Sequence, residues 1–176
     1  MVHSEKLKTL LAARTQKVRA FRGMSRHLTY GELTINGIET LLENIKISKN
    51  DVFIDIGSGY GKLIEIINQK IGCQTIGVEI DIEKYNISKK IIQNKKNIKI
   101  FNGDLLSHAN VIKSGTIVYS NCIAFPVSNV EFIYNNCYKT FIHNNLNFFK
   151  KNLMNLEVTW STKPCKYYKL ITNQFG

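Results

Sequence analysis

Four short apolar runs punctuate the middle of the chain, near residues 52–56, 75–79, 98–102 and 116–120. Each is too short for a helix and rich in Ile and Val, the pattern of strands buried on both faces of a parallel sheet. Between them lie longer segments near 62–70, 82–93 and 107–113. The first carries Leu63, Ile64, Ile66 and Ile67 at helical spacing. Strand and helix therefore alternate, which predicts an α/β fold with a mostly parallel central sheet flanked by helices. Upstream, Thr34 is a capping residue for a helix carrying Ile35, Ile38, Leu41, Leu42 and Ile45. Downstream, Val158, Trp160, Tyr168 and Leu170 alternate around Ser161-Thr-Lys-Pro164, predicting a C-terminal antiparallel hairpin. Between Phe125 and the hairpin, 138–143 is the best candidate for the fifth strand.

The first strand ends in Asp55 and is followed by Gly57, Gly59 and Gly61. A glycine-rich turn after a buried strand lets backbone approach a ligand that side chains would exclude. The dinucleotide spacing G-x-G-x-x-G needs glycine where Lys62 stands, and a Walker A loop fails at Ile56 and Leu63. An ordinary strand-to-helix turn has the same glycines. Glu79 at the end of the second run, about twenty residues on, stands where such folds bind ribose hydroxyls. With Asp104 ending the third run, three carboxylates line one sheet edge, the edge at which α/β sheets bind ligands.

Length and composition set bounds. The 176 residues, 44% hydrophobic, suffice for one well-buried domain. No apolar run reaches the roughly eighteen residues of a membrane span, and the N-terminus lacks a charged-then-apolar leader, so neither membrane nor secretion is expected. Cys73, Cys122, Cys137 and Cys165 form no C-x-x-C pair, which speaks against zinc and for a reducing compartment. Net charge is +11, a field that favours acidic partners such as nucleic acid. More than half of it lies in the first 28 residues, where Arg14, Lys17, Arg19, Arg22 and Arg26, with Lys6 and Lys8, face only Glu5. Ser4, Gly23 and the apolar Leu7, Leu10, Leu11, Val18 and Phe21 suit a helix whose arginines are candidate nucleic-acid contacts; a solvated helix face has the same pattern. Residues 1–28 are thus expected to be a basic helical arm and 29–176 the main domain.

The D-x-G-x-G-x-G motif at 55–61 resembles the first motif of class I S-adenosylmethionine-dependent methyltransferases, which have a Rossmann-like fold. Tyr30-Gly31-Glu32, D-I-G-S-G-Y-G at 55–61, G-V-E at 77–79, G-D-L-L-S at 103–107, N-C-I-A-F at 121–125 and W-S-T-K-P-C-K-Y-Y at 160–168 follow one another. Together they resemble the disruptor-of-telomeric-silencing family, histone-lysine methyltransferases without a SET domain.

The resemblance implies roles. Tyr30 and Glu32 would fold over the methionine end of the cofactor, with Asp55, Gly57, Gly59 and Glu79 holding its amino acid and ribose. Asp104 and Leu105 would take the adenine. Asn121, Phe125, Trp160 and Tyr167 would form a channel for the substrate lysine, Asn121 touching the cofactor as well. No metal is implied, and His3, His27, His108 and His143 are read as non-catalytic. The implied substrate is histone H3 in nucleosomes, with DNA gripped by the basic arm, in a nucleus or other DNA-containing compartment. Two rival functions stand beside it: methylation of RNA, DNA or other basic proteins, and a non-catalytic nucleic-acid-binding module on a cofactor fold. The chain departs from the family pattern at Cys122 and Ile123, at Leu105 where an aromatic is usual, and at Leu33.

Overall fold

A computed structural model describes residues 31–123, 125–145, 147–148, 153–159 and 161–172. The expected basic arm, with Arg14, Lys17, Arg19, Arg22 and Arg26, lies outside the described residues, as do Tyr30 and Trp160.

The elements in order are α1 (Ile35–Asn44), β1 (Val52–Ile56), α2 (Lys62–Ile71), β2 (Gln74–Glu79), α3 (Ile82–Ile92), β3 (Ile98–Asn102), a 3₁₀ turn (Leu105–His108), α4 (Ala109–Lys113), β4 (Ile117–Ser120), α5 (Val127–Asn136), β5 (Thr140–His143), β6 (Leu153–Leu156) and β7 (Cys165–Ile171). They form one seven-stranded sheet in the order β3-β2-β1-β4-β5-β7-β6. The first five strands run parallel, and β7 pairs antiparallel with both β5 and β6.

Each strand feeds both faces of the sheet, as a period of two requires. Phe53, Tyr119 and Ile142 join α1 and α2 on one side, where Ile38, Leu41, Ile64 and Ile67 are buried. Ile54, Val118 and Phe141 join Ile112, Val130 and Ile133 of α4 and α5 on the other. The result is three layers with apolar runs at their centre. Thr34 caps α1 as expected, accepting from the Gly37 amide at 3.0 Å.

Four elements differ from the sequence-based expectation. The first strand of the C-terminal hairpin is β6, which ends at Leu156, and Val158 instead bridges Leu33. The helix expected over 107–113 starts earlier, as a 3₁₀ turn capped by Asp104, because that carboxylate accepts from the Leu106 amide at 2.9 Å. Helix α5 is unannounced. Its sequence, VSNVEFIYNN, is β-branched and rich in Asn, poor in intrinsic helix propensity. Burial of Val130 and Ile133 on one face against the sheet supplies what propensity does not. The fifth strand falls inside the expected 138–143 but is shorter.

Candidate active site

The chain crosses to opposite sides of the sheet from β1, whose neighbours are β2 and β4. At such a switch point the loops leaving the strands diverge and open a crevice at the carboxyl ends. Two adjoining hollows occupy it, with Gly57 lining both. One is walled by Gly31, Glu32, Asp55, Ser58, Lys62, Tyr119 and Asn121. The other is walled by Ile80, Asp104, Leu105, Phe125, Pro126 and Asn129.

The glycine turn makes this cleft possible. Gly57 and Gly59 have φ of 83° and 56°, the left-handed region that glycine enters without penalty. The Gly57 and Ser58 amides both donate to the Val78 carbonyl, at 2.8 and 3.1 Å, so the turn folds over the end of β2. A Cβ on Gly57 would stand 3.6 Å from the Phe125 ring, in the neck where the hollows meet.

The walls are acidic. Glu79 is buried and accepts from the Gly59 amide at 2.6 Å and the Asp81 amide at 2.8 Å. Burial raises its carboxyl above the usual range despite those donors. Asp55 is raised well above it, by burial first and then by the charges of Glu79 and Glu32. Lys62 is the lysine on the wall, its Nζ 3.5 Å from Glu32 and donating to the Leu33 carbonyl at 3.0 Å. A confined, acid-rich hollow of this kind favours a cationic occupant, because a positive charge relieves both the repulsion and the desolvation.

Residues 31–34 form a strap across the first hollow, fastened at several points. The Thr34 amide donates to the Glu157 carbonyl at 3.0 Å, and the Thr159 amide to the Glu32 carbonyl at 2.9 Å. Asn121 donates to the Gly31 carbonyl at 3.0 Å. Below the hollow, the rings of Tyr119 and Tyr167 stack with centroids 5.7 Å apart, and the Tyr119 hydroxyl donates to that of Tyr167 at 3.1 Å.

The structure thus brings Glu32, Asp55, Gly57 and Asn121 to the first hollow and Gly57, Asp104, Leu105 and Phe125 to the second. Gly59 and Glu79 meet one another at the turn. Tyr167 is fully buried and reaches the hollow's wall through Tyr119. Sequence reasoning missed Lys62 and Tyr119 of the first hollow and Asn129 of the second. Lys62 has a sequence signal, a cation directly after a glycine motif that follows an acid. Among the described residues no group of three or more His, Cys, Asp and Glu is arranged to hold a metal, and no helix is long and apolar enough to cross a membrane.

Residues 8–146 match the model of the family described as histone methylation protein DOT1. The chain belongs to this family. Among curated relatives, the H3 lysine-79 specific histone-lysine N-methyltransferase of Dictyostelium discoideum is 30% identical over 105 residues, covering 52% of this DOT1-family chain and 5% of that protein. The Drosophila melanogaster enzyme of the same name is 29% identical over 113 residues, covering 54% and 6%. The DOT1-family chain thus spans about one-twentieth of the length of these relatives. Among solved structures, an RNA methyltransferase from Salinibacter ruber in complex with S-adenosyl-L-homocysteine superposes with a TM-score of 0.67 at 15% identity, covering 82% of this chain and 95% of that one. A methyltransferase from Thiobacillus denitrificans gives 0.53 at 13%, covering 72% and 52%. At these identities they establish the fold, that of Rossmann-like methyltransferases.

Proposed function

We propose that this DOT1-family chain transfers a methyl group from S-adenosylmethionine to a protein lysine, and that the lysine belongs to histone H3 in nucleosomes. The observation that carries the reading is the two-part, acid-walled cleft at the switch point, lined by Gly31 and Glu32, Asp55 to Ser58, Val78, Gly103 to Leu105, Asn121 and Phe125, all inside the span that matches the family. S-adenosylmethionine is a cation with a methionine end and an adenosine end, and the residues present fit it. Glu32 and Asp55 in the first hollow suit its ammonium, and Asp104 in the second the adenine amine beside Leu105 and Phe125; Glu79, held at the glycine turn by the Gly59 and Asp81 amides, is assigned to the ribose hydroxyls by its place at the end of β2.

When bound, S-adenosylmethionine supplies an electrophilic methyl on a sulfonium. The acceptor nitrogen uses its lone pair to form the new N–C bond as the C–S bond breaks, the electrons going to sulfur and leaving S-adenosylhomocysteine. The nitrogen must arrive deprotonated, and its remaining surplus proton leaves to solvent. Positioning supplies most of the rate in such a displacement. Asn121, Phe125, Tyr167 and Trp160 are the residues assigned to the acceptor channel, whose dryness disfavours the charged ammonium. The basic segment 1–28 would contact DNA through Arg14, Lys17, Arg19, Arg22 and Arg26, and a nuclear or other DNA-containing setting follows from such a substrate.

The test is transfer of label from radiolabelled S-adenosylmethionine to nucleosomes, free histones and RNA in parallel, beside Gly59→Arg. Label in H3, absent from the mutant, is the expected result. Label confined to RNA or to non-histone protein would overturn the histone assignment while leaving methyl transfer in place.

A further inference from the structure

Apolar side chains and glycine make up most of the wall of the second hollow. Among the described residues only Asp104 and Asn129 bring polar side chains to it. Asp104 is committed in part, because one of its oxygens accepts from the Leu106 amide at 2.9 Å and caps the 3₁₀ turn. Asn129 has no such duty.

Helix geometry turns Asn129 toward that hollow. Helix α5 begins at Val127, after the loop that leaves the carboxyl end of β4, so its first turn stands at the ligand edge. Val127 and Ser128 are exposed there, whereas Asn129 is half-buried. Residues four apart share a helix face, and Ile133, four on from Asn129, is fully buried in the core beneath the helix. The Cα–Cβ bonds of a helix tilt toward its N-terminus, which leans the Asn129 side chain from that face toward the cleft. Its backbone amide closes the first turn by donating to the Pro126 carbonyl at 3.0 Å. Its carboxamide is not spent in the same way. Asn136, at the far end of the helix, donates to the Phe132 carbonyl at 2.8 Å, and Asn129 makes no such side-chain bond among the described residues.

We infer that Asn129 reads the base of the cofactor, its Oδ1 accepting from the adenine N6 amino group and its Nδ2 donating to N7. The inference rests on the cleft being an S-adenosylmethionine site, and it adds a specificity-determining residue to that site. Adenine presents an N–H donor and a ring acceptor side by side on this edge, and a carboxamide matches both at once. The N6 group carries two N–H bonds, so Asp104 accepts one while Asn129 accepts the other. Apolar walls such as Val78, Ile80 and Leu105 grip any flat base alike, which leaves discrimination to the two polar side chains. A base with an oxygen at that position has no N–H for either residue, and its oxygen and N7 are both acceptors. Whichever way the Asn129 amide turns, it then matches the edge only in part.

The test is calorimetry with two ligands, S-adenosylhomocysteine and its 7-deaza analogue, in which a C–H replaces N7. Wild type is expected to prefer S-adenosylhomocysteine by about tenfold, the worth of a hydrogen bond whose donor is otherwise left unpaired. Asn129→Ala should bring the two affinities within about twofold of each other. Asn129→Asp keeps the size and an acceptor for N6 but sets an oxygen against N7, so the preference should vanish or invert. An acidic residue in the first turn of a helix suits the helix dipole, so this variant retains the fold. A merely structural Asn129 would weaken both ligands equally and leave their ratio unchanged. No preference in wild type, or a preference retained in either folded variant, overturns the inference. Should Asn129→Ala fail to fold, Asn129→Asp decides by the same ratio. Failure of wild type to bind either compound overturns the cofactor reading together with this inference. A preference that the variants abolish, beside unlabelled nucleosomes, supports the inference and removes only the histone assignment.

Discussion

Glu79 bridges two loops: one of its oxygens accepts from the Gly59 amide at 2.6 Å, and the other from the Asp81 amide at 2.8 Å. The end of β2 is thereby tied both to the glycine turn after β1 and to the start of α3. The same carboxylate is the one proposed for the ribose, so it shapes the turn that would carry the ligand.

Glu79→Ala is therefore expected to cost both stability and affinity. One buried amide and one half-buried amide lose their acceptor, worth about 1–3 kcal/mol each at most and less where water enters. Thermal unfolding should show the loss as a lower Tm, and calorimetry should show S-adenosylhomocysteine binding weakened at least about tenfold. Unchanged affinity in a folded mutant would remove Glu79 from the ribose site.

Asp55 yields a pH prediction. Its carboxyl is raised well above the ordinary aspartate value near 3.8, by burial and by Glu79 and Glu32. The folded protein then binds more protons than the unfolded chain between those values, so this residue's contribution to stability falls as pH rises through that interval. Asp55→Asn should accordingly be more stable than wild type at neutral pH, with the gain vanishing in acid below the ordinary aspartate range. The mutant should also bind S-adenosylmethionine more weakly. Melting curves from pH 3 to pH 8 check the first point; an Asp55→Asn protein less stable than wild type at neutral pH would contradict the sign.

Gly37 sets the contact between α1 and the segment before Trp160. An added Cβ would lie 2.2 Å from the Glu157 carbonyl oxygen, a backbone atom that cannot rotate away. Alanine favours a helix over glycine by about 1 kcal/mol, but overpacking costs about 1–3 kcal/mol. The clash should win, and Gly37→Ala should lower Tm and loosen the strap that Thr34 and Glu157 hold together. A raised Tm would show that helix propensity dominates instead.

Tyr167→Phe separates a structural role from a catalytic one. Removing its hydroxyl leaves the buried Tyr119 hydroxyl, 3.1 Å away, without that partner. About 1–2 kcal/mol of stability should be lost. Because Tyr119 and not Tyr167 walls the hollow, affinity for S-adenosylhomocysteine should stay within about threefold of wild type, a change well under one hydrogen bond. A much larger affinity loss would place Tyr167 in direct contact with the cofactor.

Much of this protein was legible in its residues taken in order. Strands near 52–56, 75–79 and 98–102 match β1, β2 and β3 closely, because a strand buried on both faces must be a short apolar run and turn residues must bound it. The glycine turn and the acids at 55, 79 and 104 were equally local, since backbone conformation and strand ends are written within a few residues of one another. Helix α5 was not, because Val130 and Ile133 become a helix face only once the sheet beneath them exists to be covered. The burial of Tyr167 behind Tyr119 and the spacing of Gly37 against Glu157 depend on chain segments far apart in sequence, placed by the crossover to β7. The same holds for the hydrogen bond from Asn144 to Asn121, which are 23 residues apart and set side by side only by the parallel pairing of β4 with β5. Sequence determined the elements and the chemistry at their ends; tertiary structure decided which polar atoms would face each other, because hydrogen bonds over such separations exist only after the sheet has closed the distance.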